Sequence, residues 1–397
     1  MPRNYRTKRR TKQRTTLRTN RKINKRKQSK RKQNRRYKLH GGSEPFTLTG
    51  PGFIDVDSVD QDATNGMKDF FNLLRTNNLS IIFGRHMFSC ANAGQQYSKT
   101  KNKRLQRQRD PLPTINGYDA SIEAASRLGN QKVNYIFASV LFRAYYTALL
   151  ESQQIIQKDP DIPFNIIPYI NENKAIWTNP DNKVDPSLWN RSSLRDTAVL
   201  KTRIIRRVRI IHKLINNMKN TRTPLNIPTN FTVDPLKKID YESINVEPDL
   251  KEAVDYLNTY FSNLTDVKEE NCALIISHSG FIRDNLLHKI ESVDRNTKPL
   301  NNSLWKFSHV EEGGGVAKIM VEQIYAGSNW RDYRERERDL RFCNDHNNKK
   351  GRRNLTGTIL SATRSLSKSL SKSLSKRSKS KSTSKSKPKS KPKSKSS

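Results

Sequence analysis

Two short apolar runs, residues 79–83 (LSIIF) and 272–277 (CALIIS), lie far apart in the chain, and each is followed by a histidine, His86 or His278. Runs of this length, rich in Ile and Leu and bounded by Gly or Ser, predict buried strands. The first continues as Ile81-Ile82-Phe83-Gly84-Arg85-His86-Met87-Phe88-Ser89-Cys90-Ala91-Asn92, delivering an Arg-His pair to the strand's C-terminal end. A third strand, over 133–138, leads within a few residues to Arg143 at the start of a helix. Parallel strands present their C-terminal ends on one edge, where open α/β sheets hold their ligands. Arg85, His86, Arg143 and His278 can therefore meet despite their separation in sequence.

The segments between these strands alternate in character. The pattern predicts helices over 119–128, 141–156, 201–218, 248–263 and 281–290, a β-like stretch at 164–170, and a strand over 316–325 that closes the sheet. Residues 99–109 read as a basic loop and 219–247 as loop. In the 201–218 helix, Ile204, Val208, Ile211, Ile215 and Met218 recur at helical spacing, with Arg203, Arg206, Arg207, Arg209 and Lys213 elsewhere. Strands alternating with helices predict an α/β fold: a mostly parallel central sheet, helices on both faces, and an inserted helical segment at about 175–247.

The formal net charge is +39, and 36 of those charges lie in two acid-free ends, residues 1–40 and 347–397. The rest of the chain is nearly neutral. We expect a basic arm over 1–42 and a Ser/Lys-rich tail over 346–397, both too poor in apolar side chains to offset the entropy of ordering, on either side of one domain at 43–345. Clustered Lys and Arg displace counterions from nucleic acid or another polyanion without reading sequence. Phosphorylation of the tail serines would cancel that charge.

Cys90, Cys272 and Cys343 are odd in number and widely spaced, which predicts no disulfide framework and a reducing, intracellular compartment, the nucleus or a virion included. No Cys/His cluster has metal-ligand spacing, and neither a metal nor a cofactor is expected. No apolar run approaches the length of a membrane-spanning helix, and no secretory signal is expected.

An Arg-His-Arg-His cluster is an anion pocket, suited to a phosphoryl group whose oxygens need several fixed donors. These residues resemble the histidine phosphatase superfamily, also called phosphoglycerate-mutase-like. Its R-H-G-x-S-x-x-N signature is similar to Arg85-His86-Met87-Phe88-Ser89-Cys90-Ala91-Asn92. Its S-P-L-x-R-A-x-x-T-A motif is similar to Ser139-Val140-Leu141-Phe142-Arg143-Ala144-Tyr145-Tyr146-Thr147-Ala148, and its late S-H-x-G-x-I-R motif to Ser277-His278-Ser279-Gly280-Phe281-Ile282-Arg283. Residues 110–117 resemble the D-P-x-L-T-x-x-G element that precedes the family's first helix, with the Leu displaced by one position. The matches keep family order over about residues 79–326.

The resemblance implies a phosphomonoester hydrolase in which His86 accepts the phosphoryl group and Arg85, Arg143 and His278 hold its oxygens. It implies Glu172, after the 164–170 stretch, as the acid for the leaving group, with Asp284 as the other candidate. Ser89, Asn92, Ser279 and Gly280 would contact substrate or order the loops. Met87 and Val140 depart from the pattern, the former placing a side chain next to the nucleophile. The substrate would be a phosphorylated small molecule or a phosphoprotein. If the basic 99–109 and 201–213 segments line the mouth, they would select a multiply anionic one, such as an inositol polyphosphate or a nucleotide. Two other functions fit the same sequence: a phosphomutase that retains the intermediate, and a nucleic-acid-binding or virion packaging protein with a vestigial phosphatase fold.

Overall fold

The computed structural model describes residues 48, 50–56, 61–97, 103–106, 108–172, 182–189, 196–233, 250–264, 270–290, 298–312, 316–327 and 333–347. The basic arm at 1–42, nearly all of the 346–397 tail and, within the 175–247 insertion, residues 175–181, 190–195 and 234–247 lie outside them.

One eight-stranded sheet organises the chain, in the order β1-β8-β7-β2-β6-β3-β4-β5. Its centre is β2 (Leu79–Arg85), β6 (Asn271–Ser277) and β3 (Tyr135–Ser139), flanked by β4 (Phe164–Ile167) and β5 (Phe231–Val233). These five strands are parallel. On the other side β7 (Leu304–Glu312), β8 (Val316–Tyr325) and β1 (Gly52–Asp55) add antiparallel pairs. The α/β class and the mixed, mostly parallel sheet match the expectation, as does the strand at 316–325.

The central strands alternate by residue between two cores. Ile82, Leu274, Ile276, Ile136 and Ala138 face one, while Ile81, Phe83, Ala273, Ile275, Tyr135 and Phe137 face the other. A strand points successive side chains to opposite faces, so a run that must bury both is apolar throughout. Helices α2 (Cys90–Gln96), α4 (Ile115–Leu128), α5 (Phe142–Glu151) and α7 (Thr197–Lys219) contribute to the first core. Helices α1 (Gln61–Thr76), α8 (Leu250–Ser262) and α9 (Ser279–Asn285) contribute to the second. Short α3 (Lys103–Gln106) follows α2, and the helix expected over 141–156 breaks at Ser152 into α5 and α6 (Gln153–Lys158).

Several expectations need correction. Residues 219–247, expected as loop, contain β5 at the edge of the sheet, and the 99–109 loop contains α3. Cys90 and Cys343 are joined in a disulfide across 253 residues, with Cα atoms 5.5 Å apart, which leaves Cys272 as the free thiol. Helix α10 (Tyr333–Asn347), which the sequence reading did not anticipate, packs on α2, α3 and α4 and brings Cys343 to Cys90. The pairing removes the premise on which a reducing compartment rests. In α7, Met218 is exposed, whereas Arg207 turns inward: it ion-pairs with buried Asp110 at 2.9 Å and lies over the Phe142 ring. Among the described residues no helix is long and apolar enough to cross a membrane.

Candidate active site

Parallel pairing sets the site. Arg85 stands opposite Ser277 in the β2–β6 register, and Ile276 opposite Ala138 in β6–β3, so the three strands end level. His86 leaves β2 with its N–H on the Ser277 carbonyl, and His278 leaves β6 as the residue preceding α9. Their rings lie 4.9 Å apart, centroid to centroid. Arg143, in the first turn of α5, donates its Nε–H to His86 Nε2 at 3.1 Å. His86, Arg143 and His278 are all buried.

Close packing holds the strand end. A Cβ on Gly84 would come within 2.4 Å of Ile276 and 2.9 Å of Leu304, and one on Gly117 within 2.4 Å of the Phe88 carbonyl. Gly84 lets β2 pack this closely on Ile276 of β6 and Leu304 of β7, and only glycine at 117 lets the start of α4 approach the Phe88 backbone, in the loop after His86, this closely. The Asp110 carboxylate accepts from the Phe142 N–H at 2.7 Å, capping α5 just before Arg143. The Arg207–Asp110 pair therefore supports the helix end that presents Arg143.

The hydrogen bonds fix the His86 tautomer. A backbone carbonyl can only accept, so the 2.7 Å contact between His86 Nδ1 and the Met87 oxygen places the ring proton on Nδ1. The Nε2 lone pair is then left toward Arg143. Burial keeps the imidazole neutral to well below the usual histidine range, reinforced by neighbouring Arg143, His278 and Arg85, which oppose a second charge there. His278 is held neutral by burial and by the same two arginines. Ser139 gives its hydroxyl proton to Asn171 Oδ1 and accepts from His278 Nε2 at 2.8 Å.

Arg85 donates to the Pro299 carbonyl at 2.5 Å, and burial lowers its pKa to about 10, with Glu172 opposing the shift and Arg143 and Arg283 adding to it. Glu172 accepts the Gly280 N–H at 2.7 Å, and its other oxygen lies 3.9 Å from His278 Nδ1. Asp284, the other acid considered, is instead engaged by Arg283 at 2.5 and 2.9 Å. Of the two, the fold brings Glu172 to the histidines.

Ser89 and Asn92 are spent on each other, forming the capping box of α2. Gly280 meets Glu172 through its backbone, and Ser279 opens α9 half-buried. Met87 is fully buried in the first core, so its side chain is packing beside His86.

Several contributors were missed by sequence reasoning. Thr147 Oγ1 donates to the Arg143 carbonyl and accepts the Met87 N–H, joining α5 to the His86 loop. It stands in the quoted S-V-L-F-R-A-Y-Y-T-A segment, the one signal available. Asn182 accepts from Arg143 Nη2 at 2.7 Å, and Asn301 donates to the His86 carbonyl at 2.8 Å. Nothing local marks either.

His86, Glu172 and His278 bring three potential metal ligands within 4.8 Å of one another. Arg85 and Arg143 act on the same two imidazoles, and two guanidinium charges there oppose a cation and favour an anion. On α7, Arg209 and Lys213, with Arg222, border a hollow of about 320 Å³ whose lining includes none of Arg85, His86, Arg143, Glu172 and His278.

No protein-family model and no curated protein matches the chain. Among solved structures, it is similar to one described as mycobacterial hydrolase 2, at 12% identity and a TM-score of 0.35, covering 68% of this chain and 98% of that one. It is similar to a mycobacterial glucosyl-3-phosphoglycerate phosphatase at 12% and 0.34, covering 63% and 99%. It is also similar to a phosphoserine phosphatase from Entamoeba histolytica in complex with phosphoserine, at 15% and 0.31, covering 62% and 98%. Similarity at this level assigns neither activity nor substrate. On its own residues, the chain resembles the histidine phosphatase superfamily in the order of its motifs and in the side chains that its sheet edge gathers around His86.

Proposed function

We propose that the chain is a phosphatase that hydrolyses a phosphomonoester through a phosphohistidine on His86. The observation that carries the reading is the His86 ring, neutral, protonated on Nδ1, with Nε2 facing Arg143. A neutral imidazole fixed through one nitrogen is a nucleophile at the other.

In the first step Nε2 bonds to phosphorus as the ester P–O bond breaks, and the leaving oxygen takes a proton from the Glu172 carboxyl group. Arg143, released from Nε2, turns to the phosphoryl oxygens with Arg85, and His278 joins them by moving its Nε2–H from Ser139 to a phosphoryl oxygen, so that fixed donors stabilise the charge of transfer. The Nδ1–H stays on the Met87 carbonyl and balances the phosphorylated ring. Water then attacks phosphorus, Glu172 takes its proton, and the P–N bond breaks to restore neutral His86.

The test is release of inorganic phosphate from a panel of phosphorylated metabolites and phosphopeptides, with His86→Ala as control. Release that depends on His86 supports the reading. Isomerised product without free phosphate points to a phosphomutase, and release undiminished by His86→Ala removes the mechanism.

A further inference from the structure

Beneath the strand end that carries His86 lies a carboxyl group that this chemistry does not use. Glu151, the last residue of α5, is fully buried. Its Oε1 accepts from Asn302 Nδ2 at 2.8 Å, and the same amide donates to Ser121 Oγ at 2.8 Å. Glu151 Oε2 and Asn302 Oδ1 are left with no hydrogen-bond partner among the described residues, although both are buried. An unmatched buried acceptor is costly, and two such acceptors on groups already joined by one bond are costlier. One proton would account for both: on Oε2 it would turn the carboxylate oxygen into a donor, and given to Oδ1 it would close an acid–amide ring with the Asn302–Glu151 bond already present.

The pair sits where it can act on the nucleophile. Asn302 has a left-handed backbone, φ 64°, and its N–H donates to the Arg85 carbonyl at 3.0 Å. Asn301 donates to the His86 carbonyl at 2.8 Å, and Ser303 accepts from the Arg85 N–H at 3.0 Å. Three hydrogen bonds from consecutive residues thus hold the Arg85–His86 backbone. Asn302 is tied on its other side to Glu151 and Ser121.

We propose that Glu151 is retained as a neutral carboxylic acid donating to Asn302, and that it is a positioning residue for His86. Burial pushes its carboxyl well above the usual range, and only the Asn302 hydrogen bond opposes this. A group whose folded pKa is raised contributes stability that is present below its unfolded value, near 4.5, and lost as pH rises toward the folded one. The effect on turnover rests on the phosphatase reading, whereas the protonation state and its effect on the His86 ring do not.

Glu151→Gln copies the neutral acid, since its amide can donate where the acid does. Glu151→Ala leaves Asn302 unpaired. At neutral pH the native-minus-Glu151→Gln infrared difference should hold the band of one buried protonated carboxyl, because Glu172, and Asp339 with a pKa that burial raises to about 7, absorb alike in both proteins. Glu151→Gln should be at least as stable as the native protein at neutral pH, by a margin that grows as pH rises above 4.5. In proton–nitrogen spectra the His86 imidazole resonances should be native-like in Glu151→Gln and displaced in Glu151→Ala. If the enzyme turns over, Glu151→Ala should lose about 10²-fold in kcat with KM held, and Glu151→Gln should restore it.

A Glu151→Gln protein that loses stability relative to the native one as pH rises, or that matches Glu151→Ala in its His86 resonances, overturns the proposal. Native protein inactive on every phosphate ester would count against the phosphatase reading alone, since the infrared, stability and resonance measurements still decide the state and role of Glu151.

Discussion

Arg143 and His86, 57 residues apart, share a 3.1 Å hydrogen bond in which the guanidinium Nε–H is given to the imidazole Nε2. The bond exists only if that nitrogen is unprotonated, so it ties the charge of the site to the state of the ring. An arginine this close also penalises the imidazolium form.

That relationship sets the pH behaviour. His86 and His278 are both depressed in the fold, first by burial and then by their cationic neighbours. Their contribution to stability is therefore present above the unfolded value, 6.5, and lost as pH falls through the folded values. The acid limb of kcat/KM should lie well below 6.5, where His86 finally protonates. A pH–rate profile on a non-titrating substrate checks this, and an acid limb at the ordinary histidine pKa would contradict it.

Glu172 and Asp284 separate cleanly by substitution. Glu172→Gln should lower kcat/KM about 10²- to 10⁴-fold on alkyl phosphates, with a smaller loss on an aryl phosphate whose leaving group needs no proton, and should slow hydrolysis of the phosphohistidine formed from either. Asp284→Asn should leave both substrates near native rates, because its carboxylate is engaged with Arg283. Steady-state rates on the two substrate classes give the answer.

The Arg207–Asp110 pair is buried on both sides and holds the start of α5. Removing Asp110 leaves buried Arg207 with the longer 3.6 Å pair to Asp185 and takes away the cap on Phe142, so Asp110→Ala should cost about 3 kcal/mol in denaturant unfolding. Asp110→Ala with Arg207→Met should recover much of that loss, which a double-mutant cycle measures.

The Cys90–Cys343 bond closes a loop of 253 residues and pins α10 over α2. Cys343→Ser should lower stability by about 2–4 kcal/mol under oxidising conditions and by nothing under reduction. Unfolding curves with and without reductant make the comparison.

The motif residues were legible because they are local: Arg85-His86, Arg143 and His278 each sit within a residue or a few of an apolar run, and a parallel sheet needs only that order to gather them. What escaped was decided by tertiary packing. In β7, Lys306, His309, Glu311 and Glu312 obscured a strand whose Leu304, Trp305 and Phe307 are buried. Arg207 read as one more solvated charge, since only the fold shows Asp110 waiting for it. Asn301 and Asn302 look like an ordinary turn, yet they bind the backbone of Arg85 and His86. Cys343 lies too far from Cys90 in sequence for spacing to pair them.

The most direct test is to quench the protein at alkaline pH during turnover of an aryl phosphate and locate the phosphoryl group by mass spectrometry of its peptides. The account predicts one acid-labile phosphate on His86, absent from His86→Ala and formed far more slowly in Arg143→Ala. Phosphate released at native rates with no modified His86, or with the phosphoryl group on another residue, would contradict it.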